Sequence, residues 1–181
     1  TMTPYLLGKD PALIEHHYQW LYRSSHFMGS VVQGALSAID IALWDIKGKV
    51  ANRPVYKLLG GYADKVPVYV AGGYYEEGKG LEELASEMEH NVNMGARAIK
   101  MKVGRPDLAE DVERVTAMRG LLGPDIPLMV DANMRWSVDE AITAARALGG
   151  LDLVWLEEPT SPEDWDGHAR IADEGGLPIA A

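Results

Sequence analysis

Residues 98–133 read AIKMKVGRPDLAEDVERVTAMRGLLGPDIPLMVDAN. The run Ala98–Val103 is short, apolar and alternating, as a strand requires. Pro106 then opens a helical stretch with Leu108, Val112, Val115 and Leu122 at helical spacing, and Gly123 stops it. A second apolar run, Pro127–Val130, follows directly. A strand, a helix and a strand in succession make one right-handed βαβ unit, which demands a parallel sheet.

The same texture extends in both directions. Val66–Val70, Asp152–Leu156 and Pro178–Ala180 are further strand candidates. One helix carries Leu81, Leu84, Ala85, Met88 and Val92 and stops near Gly95. Another begins with the capping box Ser137-Val138-Asp139-Glu140 and runs through Ile142, Ala145 and Leu148 to Gly149. A fourth is expected to start at Ser161-Pro162 and to contain Ile171. The first strand-to-helix turn, Ala71-Gly72-Gly73-Tyr74-Tyr75, lacks G-x-G-x-x-G, and no G-x-x-x-x-G-K-[ST] is present, so nucleotide-binding doubly wound folds have little support. The expected class is α/β: the first four to five βα units of a (β/α)8 TIM-type barrel. Half a barrel leaves a raw sheet edge, so the chain is expected to be truncated and to associate through exposed apolar surface.

Ahead of the barrel the sequence reads as helix. Residues 9–23 are expected to start a helix at Asp10-Pro11, and residues 30–51 form a longer one, apolar on several faces and hence expected to be buried on more than one side. Asp45 and Lys49 make an i,i+4 pair, and Pro54 opens a short helix ended by Gly60 and Gly61. The expected division is 1–61, the C-terminal helical part of an α+β capping domain, and 62–181, the N-terminal half of the barrel.

Composition narrows the function. The 181 residues include no Cys, which removes disulfides, thiolate metal sites and cysteine nucleophiles. Net charge is −10, the wrong sign for a phosphate-backbone binder. There is neither a membrane-length apolar run nor a basic-then-apolar leader, so the expected compartment is the cytoplasm.

The chemistry collects at strand ends. Alternation puts Lys100 and Lys102 on one face of their strand, with Ile99, Met101 and Val103 on the other, toward the helices. Two neighbouring ammonium groups facing inward are costly unless anions compensate them. Asp131 and Asn133 share a face at the end of the next strand, and Glu157 follows Asp131 by one βα unit. Hard carboxylate oxygens converging at one point suit Mg²⁺. Taken singly, each acid also reads as a loop cap, and Glu158 reads only so; beside the lysine pair, a site is favoured.

These motifs together resemble the enolase superfamily, within its mandelate racemase/muconate lactonizing enzyme family the mandelate racemase-like, sugar-acid dehydratase-like branch. The resemblance rests on the helix Gly34-Ala35-Leu36-Ser37-Ala38-Ile39-Asp40-Ile41-Ala42-Leu43-Trp44-Asp45, then K-x-K, then V-D-A-N-x-x-W ending at Trp136, then W-L-E-E-P-T ending at Thr160. It covers the chain almost end to end. It implies that Lys102 is the general base removing a proton α to a carboxylate. Lys100 would lie near the substrate carboxylate and help keep Lys102 in the neutral form. Asp131 and Glu157 would be two of three Mg²⁺ ligands, with Asn133 beside the substrate. Proton removal builds an enediolate, which Mg²⁺ and lysine charge stabilise where it develops.

The third metal ligand is expected just beyond Ala181, and the family's histidine acid, with its aspartate partner, on later strands. None of His16, His17, His26, His90 and His168 falls at a strand end, so packing or surface roles are expected for them. The implied reaction is dehydration of a sugar acid, since Glu157-Glu158-Pro159 resembles that branch. Racemisation, epimerisation and cycloisomerisation stay open, as does a catalytically silent fragment. A homo-oligomer and a small carboxylate substrate are the expected partners, with neither nucleic acid nor membrane. With two carboxylates beside two lysines, a lysine–carboxylate network and weak Mg²⁺ binding are expected of these residues alone.

Overall fold

The structure is a computed structural model that describes residues 2–24 and 29–181. His26 lies outside the described residues. The chain divides into two compact units, Thr1–Val66 and Pro67–Ala181.

The first unit is helical: α1 (Thr3–Leu6), α2 (Ile14–Arg23), α3 (Ser30–Ala51) and α4 (Val55–Leu58). Helix α2 begins three residues later than its Pro11 signal suggests. The Asp10 carboxylate instead accepts a hydrogen bond from the Ala12 amide at 2.9 Å, which holds the chain in a turn before the helix. His17 is buried, its ring bonded to the Tyr5 hydroxyl and the Asp10 carbonyl, which is a packing role. Helix α3 has the expected bounds but buries only Leu36, Leu43 and Gly48 in this chain. Val31, Ile41, Ile46 and Val50 are exposed, against the expectation of burial on several sides. Asp45 and Lys49 do pair, at 2.6 Å on the surface.

The second unit alternates strand and helix. Its strands are β1 (Val70–Gly72), β2 (Ile99–Lys102), β3 (Leu128–Asp131), β4 (Leu153–Glu157) and β5 (Ile179–Ala180). Between them lie α5 (Leu81–Asn93), α6 (Leu108–Leu122), α7 (Val138–Leu148), a 3-10 turn (Gly149–Leu151) and α8 (Trp165–Gly175). All five strands are parallel, in the order β1-β2-β3-β4-β5. The fold is thus the α/β half-barrel segment that the sequence implies.

Strands β2 to β5 shift by a residue at one or both ends from the sequence reading, and three further boundaries differ for identifiable local reasons. The first strand is Val70–Gly72 rather than Val66–Val70: Val66 and Val68 are exposed, and pairing with β2 begins only at Val70. Helix α6 is capped by Asp107, whose carboxylate accepts from the Ala109 amide at 3.0 Å, one residue past Pro106. Helix α8 starts at Trp165 because Asp164 caps it through the Gly167 amide at 2.9 Å, while Ser161 donates to Glu163. The Ser137–Glu140 capping box forms as written in the sequence.

The core lies between sheet and helices. Ile99, Met101, Leu128, Val130 and Leu156 meet Leu84, Met88, Val115, Met118, Ala145, Leu148 and Ile171 there. Residues of one parity on β2 and β3 therefore face the helices, and Lys100, Lys102, Met129 and Asp131 take the other face. Strand β4 would break this phase but for a bulge. Leu128 pairs with Leu153 and Val130 with Leu156, so Val154 and Trp155 together oppose Met129. The extra residue lets both Leu153 and Leu156 reach the core and delivers Glu157 to the face that carries Asp131. Among the described residues no helix is long and apolar enough to cross a membrane.

Leu156 is fully buried beside the bulge, so removing its side chain leaves a cavity that the sheet cannot close. Leu156→Ala is expected to cost about 2–5 kcal/mol of stability, read as a lower urea midpoint by far-ultraviolet circular dichroism.

Candidate active site at the strand ends

Parallel pairing sets the strand ends in a row. Lys102 of β2 is level with Asp131 of β3, Asp131 with Glu157 of β4, and Glu157 with Ala180 of β5. Lys100 lies two residues back on the same face as Lys102. The backbone continues the ladder past the strands: Val103 N–H donates to Asp131 O, Ala132 N–H to Glu157 O and Glu158 N–H to Ala180 O, at 2.8–3.0 Å.

The side chains close into one network. Lys100 Nζ is 3.0 Å from Asp131 Oδ2 and also donates to Glu157 Oε1. Lys102 Nζ donates to Asp131 Oδ2 at 2.7 Å and to Asn133 Oδ1 at 2.7 Å. The remaining carboxylate oxygens are also engaged. Asp131 Oδ1 accepts from the Asn133 amide at 3.0 Å, and Glu157 Oε2 from the Trp155 indole at 2.9 Å. Side-chain exposures of 10% for Lys100, 3% for Asp131, 15% for Lys102 and 20% for Glu157 put the cluster at the edge of the interior, where ionic contacts are strong yet reachable from solvent.

Burial acts against charge on both central groups, and the partners prevail. Burial alone would push the Asp131 carboxyl up; hydrogen bonds from Lys102, Lys100 and the Asn133 amide hold it below the usual carboxylate range. Burial alone would push Lys100 down; its contacts with Glu157 and Asp131 hold it above the usual lysine range. Lys100 is therefore a fixed positive charge.

The structure brings together every residue singled out from the sequence: Lys100, Lys102, Asp131, Asn133 and Glu157. Asn133 arrives by a route that alternation does not describe. Strand β3 ends at Asp131, and Asn133 and Met134 take left-handed backbone, φ +47° and +61°. The Asn133 side-chain oxygen still meets Lys102, while its amide nitrogen donates to Glu158 Oε2 at 3.2 Å. Glu158, read as a loop cap, is itself left-handed at φ +44°. Such conformations cost on the order of 1 kcal/mol each outside glycine and gather where a site over-determines the backbone.

Aromatic walls complete the cluster, and residue-by-residue reading of charge does not find them. The Tyr69 ring lies 5.3 Å from Lys100 Nζ and edge-on to Trp155, and the Tyr74 ring lies 5.5 Å from Lys102 Nζ. Also missed is a buried polar cluster behind the β1 and β2 loops. Asp111, fully buried on α6, accepts from the Gly104 and Arg105 amides at 2.7 and 2.8 Å and from the Tyr75 hydroxyl. Arg114 donates to the Gly73 carbonyl at 2.8 Å. The doublet Tyr74-Tyr75 directly after a strand is the one sequence signal of this wall.

As cation ligands, Asp131 and Glu157 fit in part. They are adjacent hard oxygen donors of the kind Mg²⁺ takes, but among the described residues no group of three or more His, Cys, Asp or Glu converges. At the level of Glu157, β5 offers Ala180. The Lys100 ammonium bridges the two carboxylates, as the lysine–carboxylate network expected from the sequence requires.

Known proteins share this architecture. Residues 1–60 match the family model for the mandelate racemase/muconate lactonizing enzyme N-terminal domain, and residues 83–181 the model described as enolase C-terminal domain-like. The 3,6-anhydro-alpha-L-galactonate cycloisomerase of Streptomyces coelicolor is 52% identical over 177 residues, which cover 97% of this chain and 48% of the relative. The arabinonate dehydratase of Saccharolobus solfataricus is 41% identical over 181 residues, covering 99% of this chain and 48% of the relative. A crystal structure of a racemase from Streptomyces coelicolor A3(2) with bound magnesium superposes with a TM-score of 0.88 at 49% identity, over 98% of this chain and 50% of that one. The chain spans about half the length of the relatives it matches. It belongs to the mandelate racemase/muconate lactonizing enzyme family of the enolase superfamily.

Proposed function

We propose that this chain carries the base and two of the metal ligands of an Mg²⁺-dependent enzyme that removes the proton α to the carboxylate of a sugar acid and expels its β-oxygen. The observation that carries the reading is the hydrogen-bond set of Lys102. A neutral amine has two N–H bonds and one lone pair. Asp131 Oδ2 and Asn133 Oδ1 accept two hydrogens from Lys102 Nζ, which leaves the lone pair of the neutral form free for a substrate proton.

Asp131 and Glu157 are the residues that would hold Mg²⁺. When bound, the ion supplies Lewis-acid stabilisation for the negative charge that develops on the substrate carboxylate. The protein's own part is a transfer at Lys102 Nζ. The α C–H bond breaks, its proton goes to Lys102, and its electrons enter the enediolate. Lys100, permanently charged, stabilises that dianion electrostatically. The electrons then form a double bond to the β-carbon as the β C–O bond breaks. The departing oxygen takes its bonding pair and accepts a proton from a general acid, and the resulting enol tautomerises to a 2-keto acid. Asn133 orients Lys102 and stands beside the substrate.

Dehydration and cycloisomerisation are one elimination under this scheme. If the β-oxygen is a hydroxyl, water leaves. If it belongs to a 3,6-anhydro ring, its departure opens the ring and the formula is unchanged. Arabinonate dehydratase supports the first reading by its name, and the cycloisomerase, at 52% identity, supports the second. Reprotonation of the enediolate on the opposite face would give the racemase outcome. In the assembled enzyme we infer a homo-oligomer, for which the exposed apolar residues of α3 offer surface.

Four measurements test the reading. In an enzyme containing this segment, Lys102→Ala is expected to lower α-proton exchange into deuterium oxide by at least about four orders of magnitude, at the upper range of a general base's contribution. Near-normal exchange would remove Lys102 from the role. Lys100→Met leaves Asp131 and Glu157 without their bridging cation, and about 3–5 kcal/mol of stability is expected to be lost. The pH dependence follows in sign. The Asp131 contribution, present above about pH 3.9, is lost as pH falls through its depressed value. The Lys100 contribution is fully present below about pH 10.4 and is lost as pH rises through its elevated one. Wild-type stability should therefore be flat near neutrality and decline at both extremes. Calorimetric titration of the 181 residues with Mg²⁺ should give weak binding that strengthens in Lys100→Met, where the competing ammonium is gone.

A further inference from the structure

Lys102 ends β2, and two loops flank it: the β2 loop that follows directly and the β1 loop that carries Tyr74. Tyr74 and Tyr75 from one, with Gly104 and Arg105 from the other, wall a cavity of about 400 Å³ that opens beside Lys102. The Tyr74 ring, 5.5 Å from Lys102 Nζ, is half-exposed, and among the described residues its hydroxyl makes no hydrogen bond. Its place is therefore set by its neighbours in the chain.

Both neighbours are fixed. The Gly73 N–H donates to Glu87 of α5 at 3.1 Å, and the Gly73 carbonyl accepts from Arg114 of α6 at 2.8 Å. Gly73 has φ +65°, and a Cβ built there would stand 2.8 Å from Met101 Cβ, so only glycine lets this loop lie against β2. Tyr75 is held at both ends of its side chain. The Arg105 and Arg114 guanidinium groups lie 4.5 and 4.3 Å from its ring, and its hydroxyl donates to Asp111. Burial, and then that hydrogen bond, push the hydroxyl above the usual phenol range, so it keeps its proton and remains a donor.

The two loops meet at one carboxylate. Asp111 Oδ1 takes the Tyr75 hydroxyl of the β1 loop, and Oδ2 takes the Gly104 and Arg105 amides of the β2 loop, at 2.7 and 2.8 Å. Asp111 is fully buried, and among the described residues it forms no ion pair, although Arg114 lies three residues along the same helix. A buried carboxylate is costly, and here only the donors of the two loops compensate it.

We propose that Asp111 is a positioning residue of the site: by receiving donors from both loops on one carboxylate, it holds the Tyr74 ring over Lys102 and keeps the base aimed into the cavity. The inference rests on the proposed function for the role of Lys102 and adds what sets its geometry. An ammonium formed there by proton abstraction faces the Tyr74 ring, and an aromatic face favours a cation. A base displaced by about 1 Å loses on the order of 10²-fold in rate. Asp111 acts through acceptors in fixed places, not through its charge. Asparagine has the same shape: its oxygen can accept the two amides, and its NH₂ can donate to the Tyr75 oxygen.

Geometry and turnover are tested separately. In the 181-residue chain, nuclear Overhauser contacts between the Tyr74 ring and the Lys102 Cε protons are expected in wild type and in Asp111→Asn, and are expected to vanish in Tyr75→Phe and Asp111→Leu. Leu156→Ala, destabilised elsewhere, should keep them, so lost stability does not account for their loss. Tyr75→Phe removes one hydroxyl only and decides the matter where Asp111→Leu fails to fold. In an enzyme containing this segment, arabinonate and 3,6-anhydro-alpha-L-galactonate serve as probes. There Tyr75→Phe should lower kcat about tenfold and Asp111→Leu about 100-fold, with KM within about twofold and Asp111→Asn within about threefold of wild type. Contacts that survive Tyr75→Phe would overturn the tie between the loops. A loss confined to KM, or an Asp111→Asn as damaged as Asp111→Leu, would overturn the positioning role. Wild type inert toward both acids would count against the proposed function instead, and the Tyr74–Lys102 contacts judge the tie in either case.

Discussion

Two carboxylates level with each other on adjacent parallel strands repel, and at the edge of a protein interior that repulsion is poorly screened. Asp131 and Glu157 are such a pair, and the Lys100 ammonium between them turns the repulsion into a bridge. The rest of the cluster depends on it. With Asp131 held ionised, its Oδ2 can also accept from Lys102, and its Oδ1 can hold the Asn133 amide. Remove the positive charge, and either a carboxyl is protonated or a metal ion takes over its role.

Register gives the bridge its precision. Strand pairing alone would align Lys102, Asp131 and Glu157 only if β4 stayed in phase with β3, and its sequence Leu153-Val154-Trp155-Leu156-Glu157 does not. Strict alternation would place Leu153 and Glu157 on the same face, sending either the leucine away from the core or the glutamate into it. The bulge at Val154-Trp155 resolves this, and it also brings the Trp155 indole to Glu157 Oε2. One inserted residue therefore supplies both the Glu157 carboxylate and the donor that orients it.

What the sequence discloses and what it conceals follow from the range of the interactions. The βα alternation, the shared face of Lys100 and Lys102, and the helix cap at Ser137 are decided within a few residues, so periodicity and capping patterns report them. The bulge and the left-handed turn at Asn133 arise because neighbouring strands demand them, and no local pattern carries that demand. Asp111 and Arg114 are the clearest case. On α6 they are charged residues between Leu108 and Val115, yet both are buried. Asp111 is tolerated there because the nearby Gly104 and Arg105 amides and the distant Tyr75 hydroxyl donate to it, and Arg114 because the distant Gly73 carbonyl accepts from it. The start of β1 is hidden for a related reason: Val66 and Val68 have strand-like composition, but the β2 ladder begins only at Val70.

The arrangement also separates two tasks. Lys100, Lys102, Asp131 and Glu157 sit on strand ends locked by a continuous backbone ladder, and the chemistry assigned to them ends with the enediolate. That intermediate is common to loss of water, opening of an anhydro ring and return of a proton, so nothing in the row selects among them. Selection must come from where the β-oxygen and the far end of the substrate lie, and those positions are bounded by loops. The loops nearest the row are not loosely attached: Asp111 fastens the β2 loop from below, Gly104 fits it against the stem of Arg135, and Tyr75 braces Arg105. A rigid row for the shared step and a separately braced loop wall for the distinguishing one would let loop residues change the outcome without disturbing the charge balance on which the proposed proton abstraction depends.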